Sequence, residues 1–445
     1  MSPIQNIKNQ IETIISWIQP FLPIANSHMV EFFSESIFKK SLPDNLYNEI
    51  LSIGFDNSLD LILNDTQVLN APELYSYINE SKQFHLCNLT QVCLSRNDLN
   101  AKLIEWGSKN ISSLKLEVFV TPKKAHEIEV LGGGKGYLGS LLALHHNIRV
   151  LSVDASLINT HGALKRLKLL ERAWKNLKHN PRQSVPLNKE DVAKNTNLYK
   201  QITEFVNEDT NFGELIKNEF LDESSNFGLV GLHTCGDLGS TCVKIFNKND
   251  QIKTLCNVAC CYHLLSEEFD GSNSETKNFG FPLSTLLRNK EFKLGRISRM
   301  LSAQSMERIL YKKEVPSRTL FYRAILEVLL DKYNVDTDKR KVGKLKKECK
   351  SFVNYVHSSI SNIDPTFKIC NDEIDDLFNE YKCYEKQLYV FHMLRCMLAP
   401  VIESLILLDR LLFLYENGHE SALLVHLFDA VVSPRCYGLI AFKNM

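Results

Sequence analysis

The chain has no excess of charge of either sign: lysine plus arginine and aspartate plus glutamate each number 52 among its 445 residues. No global field draws it toward nucleic acid or a membrane surface, so any such partner must be met by a local patch. Long uncharged apolar runs are also missing. The most apolar stretch, Leu398 to Tyr415, carries Glu403, Asp409 and Arg410, which marks a buried bundle helix; no transmembrane segment and no membrane partner are expected. The first residues mix Gln5, Asn6 and Glu12 with apolar ones and offer no small-residue cleavage site. That argues against a signal peptide and for a cytoplasmic or nuclear address. The 12 cysteines include no Cys-x-x-Cys pair, so they read as reduced thiols, and no metal site, structural or otherwise, is expected. Internal repeats and low-complexity tracts are absent. What is there, 44% hydrophobic and 23% charged, is ordinary globular composition, long enough for two or three units with sizeable cores.

Periodicity divides the chain. Residues 1–115 place apolar side chains at helical spacing, first Ile7, Ile11, Ile14, Ile15 and Ile18, then Val30, Phe32, Phe33, Ile37 and Phe38, with Pro20 and Pro23 ending the first helix. Residues 116–312 alternate short β-rich runs with helical stretches, the pattern of an α/β fold on a parallel sheet. Its expected strands are Leu116–Val120, Ile128–Leu131, Ile148–Val153, Gly228–Leu232 and Leu255–Ala259. Residues 313–431 return to helix over Leu320–Tyr333, Val342–Ile360 and Ile374–Tyr415, the last interrupted near Pro400. Residues 432–445 close with an apolar run from Cys436 to Phe442 after the turn Ser433-Pro434-Arg435, expected to rejoin the sheet as an antiparallel strand.

The most informative stretch is Glu129-Val130-Leu131-Gly132-Gly133-Gly134-Lys135-Gly136-Tyr137-Leu138, followed by Ile148 to Asp154. It reads as strand, glycine turn, helix, strand, acid, an order that binds the ribose of an adenosine cofactor. Glycines let the backbone approach a ligand, and an acid at the next strand's end accepts both ribose hydroxyl protons. Framed from Gly132 the turn is Gly-x-Gly-x-Gly; framed from Gly134 it is a dinucleotide fingerprint ending at Gly139, which leaves an NAD-binding oxidoreductase open, as it does a purely structural turn. Two further motifs follow apolar runs directly: Gly231-Leu232-His233-Thr234-Cys235-Gly236-Asp237-Leu238 and Ala259-Cys260-Cys261-Tyr262-His263. If both runs are strands of one parallel sheet, His233, Cys235, Asp237, Tyr262 and His263 emerge at the same edge as Asp154. Each has an ordinary alternative: Asp237 as a helix cap, Cys256 and Cys260 as small buried hydrophobes, Tyr262 as core. Arg296, Arg299 and Arg308, and the run Lys339, Arg340, Lys341, Lys344, Lys346, Lys347 and Lys350, read first as solvated faces and second as RNA contacts.

Together these motifs resemble the methyltransferase-like protein 25 family, which includes proteins named for a ribosomal RNA adenine dimethylase domain. The carriers run from about residue 117: FVTPKKAHEIEV, GGGKGYLGSLLAL, VLSVDAS with Arg166 and Trp174, ITEFV, LVGLHTCGDLGS, NVACCYHLLSEEF, GFPLS, SAQSMER, LDRLLFLYE and the closing SPR. A similar pairing of strand ends recurs in a tRNA ribose methyltransferase family. The resemblance implies a Rossmann-like class I methyltransferase core, a mostly parallel seven-stranded sheet, with a helical N-terminal region and a helical C-terminal insertion. It implies S-adenosylmethionine as cofactor, held by Gly132, Gly134, Lys135, Gly136 and Asp154, and an acceptor that is RNA or protein. His233, Asp237, Tyr262 and His263 then border the transferred methyl as candidate catalytic residues. The chain departs from the family before the glycines. Lys124-Ala125-His126-Glu127 runs almost straight into Leu131, and Val130 stands where the family has an acid, with Glu129 one place off; in a strand that slip turns a side chain to the other face. A non-catalytic cofactor-binding protein is the alternative this departure favours.

Overall fold

A computed structural model describes residues 2–64, 70–106, 123, 126, 139–140, 142–143, 148–178, 198–221, 226–271, 278–336, 338, 340–343, 345, 349–364 and 368–443, with side chains only to 169 in the helix ending at Lys178. The expected strands Leu116–Val120 and Ile128–Leu131, and the positions Gly132, Gly134, Lys135 and Gly136, lie outside the described residues. The chain divides into two compact units, one of Met1–Ile11, Leu89–Lys293 and Leu405–Met445, the other of Glu12–Asn88 and Leu294–Ser404.

The first unit holds seven described strands: β1 (Cys93–Ser95), β2 (Val150–Asp154), β3 (Tyr199–Thr203), β4 (Phe227–Cys235), β5 (Ile252–Cys260), β6 (Leu423–His426) and β7 (Tyr437–Phe442). Five form a sheet in the order β1-β6-β7-β5-β4, and β2 pairs in parallel with β3. β4 and β5 are parallel and joined by the helix Asp237–Lys248, the crossover that a parallel pair requires. That helix buries Cys242, Val243, Ile245 and Phe246, an i, i+3, i+4 stripe. β5 lies between β4 and β7 and reads as a nearly continuous buried run, as a strand covered on both faces must. β7, over the apolar run near the end of the sequence, pairs antiparallel with β5 from Asn257↔Leu439 to Thr254↔Phe442.

Three elements differ from the periodicity. β1 and β6 form in stretches expected to be helical; they pair in parallel over three positions, too few residues for a strand pattern to register. The helix Glu385–Glu416 runs unbroken through Pro400, and the break falls earlier, at the 3₁₀ turn Lys382–Tyr384. Proline removes one backbone donor and crowds the preceding turn, but here the residues around it, Leu398, Ala399, Val401 and Ile402, are all fully buried, and packing holds the helix together. No helix among the described residues is long and apolar enough to cross a membrane.

The second unit is helical and aromatic-rich. Trp17 lies 5.0 Å from Phe21, 5.7 Å from Tyr77 and 5.3 Å from Phe84, ring centroid to centroid, and the buried Tyr77 hydroxyl donates to the Leu394 carbonyl at 2.7 Å. Phe378 stacks on Phe352 at 5.6 Å beside Tyr322 and Phe321. The helix expected over Val342–Ile360 is observed as Phe352–Ile363. Arg340, from the basic run, is not part of a solvated face: its guanidinium bonds the Glu327 carboxylate at 2.7 Å, the Asp331 carboxylate and the Val335 carbonyl. Arg299, from the other basic patch, is 3% exposed.

Candidate active site

The carboxyl ends of β2, β4 and β5 carry the titratable side chains. β2 ends on Asp154, where the apolar run Val150, Leu151, Val153 stops. Its carboxylate accepts the Ser156 N–H at 2.8 Å on Oδ1, and the Asn159 side-chain amide donates to both oxygens at 3.2 and 3.3 Å. The half-exposed acid is thus fixed in one orientation. A carboxylate offers about four acceptor positions, so these bonds leave room for a further donor.

β4 and β5 end side by side, and a bulge decides what faces what. Leu232 pairs with Val258, but Thr234 pairs with Ala259 and Cys235 with Cys260, so His233 is the extra residue, at φ +60°. Without that insertion Cys235 would pair with Cys261. The bulge is pinned by the buried Thr234 hydroxyl, which donates to Asn257 Oδ1 at 3.0 Å. The Cys235 and Cys260 sulfurs lie 3.3 Å apart, and with the Cys261 sulfur they form a group in which all lie within 4.8 Å of one another. Burial raises the Cys235 and Cys260 thiols above their ordinary value. Periodicity gives no hint of this cluster, because it depends on cross-strand register rather than spacing along the chain.

The remaining candidates divide into edge and support. His233 and His263 are partly exposed, one on the bulge and one in the 3₁₀ turn after β5. Asp237 opens the helix after β4, and its Oδ1 accepts the Ser266 N–H at 2.7 Å, which ties the segment after β5 to the helix start. The same segment is held by Ser266 Oγ, which accepts the Gly280 N–H at 2.9 Å, and by Ser240, whose hydroxyl donates to the Gly280 carbonyl at 2.6 Å. Gly236 turns the chain from β4 into the helix at φ +55°, ψ −128°, and a Cβ there would meet Leu264 atoms at 2.7 Å, so only glycine fits. Tyr262, expected at the catalytic edge, is 1% exposed, and the Arg410 and Arg435 guanidiniums lie 6.0 and 5.8 Å from its ring centroid. It is the first residue of the 3₁₀ turn Tyr262–Leu264 that follows β5.

Two residues join the site from far along the chain. Asp409, fully buried, accepts the Leu283 and Ser284 N–H groups at 2.7 and 2.8 Å; burial nevertheless pushes its carboxyl up, against the pull of those bonds and of Arg410. Arg410, also buried, donates through Nη2 to the Ser240 hydroxyl at 3.0 Å, while its Nε and Nη1 have no hydrogen-bond partner among the described residues. Charges inside the apolar run from Leu398 to Tyr415 are the one signal that marks them in the sequence. A cavity of about 320 Å³ lies elsewhere, beside Lys244, Lys248, Glu208, Glu268 and Arg288. Its cations are paired within it, Lys244 and Lys248 sharing Glu208 and Arg288 on Glu268.

Parallel strands bring an acid, two histidines and a tied-down helix start to their carboxyl ends, the edge at which open α/β sheets in general bind ligands. Residues 102–268, which span all of these strand ends, match the family model described as a methyltransferase domain. Along nearly its whole length the chain is similar to proteins named "Probable methyltransferase-like protein 25". The mouse protein is 25% identical over 584 aligned positions, covering 98% of this chain and 97% of the relative. The human protein is 26% identical over 594 positions, with the same coverage. The alignments are longer than the 445 residues here, so the relatives carry segments that this chain lacks. No solved structure matches.

Proposed function

We propose that this protein is an S-adenosylmethionine-dependent methyltransferase whose reaction takes place at the carboxyl ends of β2, β4 and β5. The observation that carries the proposal is Asp154: a half-exposed carboxylate at the end of a parallel strand, oriented by Ser156 and Asn159, with acceptor capacity to spare. That chemistry fits the ribose diol of the cofactor. Gly132, Gly134, Lys135 and Gly136 complete the cofactor site in this reading.

When bound, S-adenosylmethionine supplies an electrophilic methyl carbon on a sulfonium. The chain's own task is then alignment, since holding donor and acceptor in line contributes up to roughly 7–11 kcal/mol in favourable cases. A neutral nitrogen acceptor needs no strong base. For a hydroxyl acceptor, His233 or His263 takes the proton at a ring nitrogen. Asp237 acts chiefly through the Ser266 segment it anchors, and so shapes the acceptor side of the edge. The acceptor is RNA or protein.

Calorimetry with S-adenosylmethionine tests the cofactor site. Loss of a charge-assisted hydrogen bond costs about 1.5–3 kcal/mol, so Asp154→Ala should weaken binding by roughly 10- to 150-fold. Unchanged affinity in a folded variant removes Asp154 from the ribose. Incubation with labelled methyl donor and fractionated lysate tests the chemistry; retained cofactor affinity with no label in RNA or protein would mean a binding protein instead.

A further inference from the structure

Three thiols converge where the proposed reaction lies, yet that reaction uses none of them. Cys235 and Cys260 are register partners on adjacent parallel strands, so their side chains share a face, and their sulfurs are 3.3 Å apart. Cys261 follows at φ +53°, a left-handed conformation that turns the chain out of β5 and keeps the third sulfur within 4.8 Å of the other two. Tetrahedral zinc with Zn–S bonds of about 2.3 Å sets neighbouring sulfurs roughly 3.8 Å apart, inside the range the three already occupy. Two ligands stand on strand ends, the third is the next residue, and only small side-chain adjustments separate the group from coordination. Cys235 is exposed, Cys260 buried and Cys261 between them, which gives an ion a way in and a dry floor.

We propose that Cys235, Cys260 and Cys261 form a three-thiolate site for a thiophilic d¹⁰ cation, Zn²⁺ foremost, with the fourth position open on the Cys235 side to water or to a donor atom of the substrate. Soft thiolates select such ions over Mg²⁺ or Ca²⁺. Binding replaces three S–H bonds with three metal–sulfur bonds and releases three protons; no electron moves. Because binding releases thiol protons, affinity rises with pH. The proposal goes beyond methyl transfer and does not depend on it.

The test uses the full-length protein, purified under reductant, stripped with chelator and titrated with Cd²⁺ while thiolate-to-metal charge-transfer absorbance is followed, then with Zn²⁺ against a chromophoric chelator. One ion per chain with the absorbance of three thiolates is expected. Cys260→Ser should weaken binding by more than the roughly 100-fold that loss of an outer-shell partner costs, whereas the exposed Cys383→Ser, outside the group, should leave it unchanged. If Cys260→Ser does not fold, the exposed Cys235→Ser serves in its place, and circular dichroism checks each variant. Failure of the reduced protein to hold an ion, binding undiminished in Cys235→Ser or Cys260→Ser, or a Cys235–Cys260 disulfide persisting under reductant each overturns the proposal. S-adenosylmethionine affinity measured on the same samples separates this outcome from failure of the cofactor site.

Discussion

Mild acid should loosen the helical second unit through two histidines. Burial lowers His85 and His392 from the usual 6.5 to about 4. Both are bases held neutral in the folded state, so the sign is fixed. Above pH 6.5 neither protein state binds the proton and the histidines cost nothing; as pH falls below 6.5 the unfolded chain takes up protons that the folded chain refuses, and stability drops until about pH 4. For a shift of this size the linkage gives about 1.4 kcal/mol per histidine at pH 5.5 and a ceiling of about 3.4 kcal/mol below pH 4. His85 is 8% exposed and should give most of its share, while His392 keeps more solvent contact and should give less. Together they remove about 2 kcal/mol at pH 5.5, a large part of a typical 5–15 kcal/mol, equivalent to a melting shift of roughly 4–8 °C for a unit of this size. Thermal unfolding followed by circular dichroism at pH 7.5 and 5.5, in wild type and in the His85→Gln, His392→Gln double variant, isolates the effect from other titrating groups. A pH-induced shift as large in the double variant as in wild type would refute the reasoning.

Other changes test the supports of the candidate site. Asp409→Ala strands the Leu283 and Ser284 N–H groups and leaves the buried Arg410 without its neighbouring anion; urea denaturation should register a loss of about 3–5 kcal/mol, and a loss below about 0.5 kcal/mol would remove Asp409 from its anchoring role. Gly236→Ala adds a Cβ against Leu264 and forces a residue with a side chain into a conformation open essentially to glycine; a cost of about 1–3 kcal/mol should appear with faster amide exchange at Leu264 to Ser266, and unchanged exchange there would contradict the fit.

The parts of this protein legible in its sequence are those set by neighbours along the chain. Asp154 announces itself as the acid that stops an apolar run, and β2 ends on it. The apolar runs of β4 and β5 are equally visible, but both strands continue to Cys235 and Cys260, because residues that look like post-strand motifs still pair. What is hidden is set by partners far away. Asp409 and Arg410 can be recognised as a buried charged pair, but nothing in a helix pattern reveals that the acid binds two N–H groups about a third of the chain earlier, or that the arginine reaches Ser240. β6 is four residues long and exists as a strand only through its neighbours β1 and β7.

The ends of β4 and β5 also concentrate backbone strain. His233 and Cys261 are residues with a Cβ at φ +60° and +53°, and Gly236 lies between them in sequence at φ +55°. Left-handed geometry at a non-glycine residue costs on the order of 1–3 kcal/mol and persists only where the surroundings over-determine it. Here the surroundings are identifiable. Thr234 locks the bulge to Asn257 and Val258, Asp237 locks the helix start to Ser266, and the Gly236 N–H donates to the Cys260 carbonyl at 3.0 Å. A relaxed alternative was available at each point: without the bulge β4 would keep its regular register, and Cys235 would lie opposite Cys261. The strained arrangement instead faces Cys235 toward Cys260, presents His233 at the sheet edge and turns Cys261 back toward both sulfurs. The costs are met at the strand ends where titratable groups converge, the edge on which both the proposed methyl transfer and the proposed thiolate site rest.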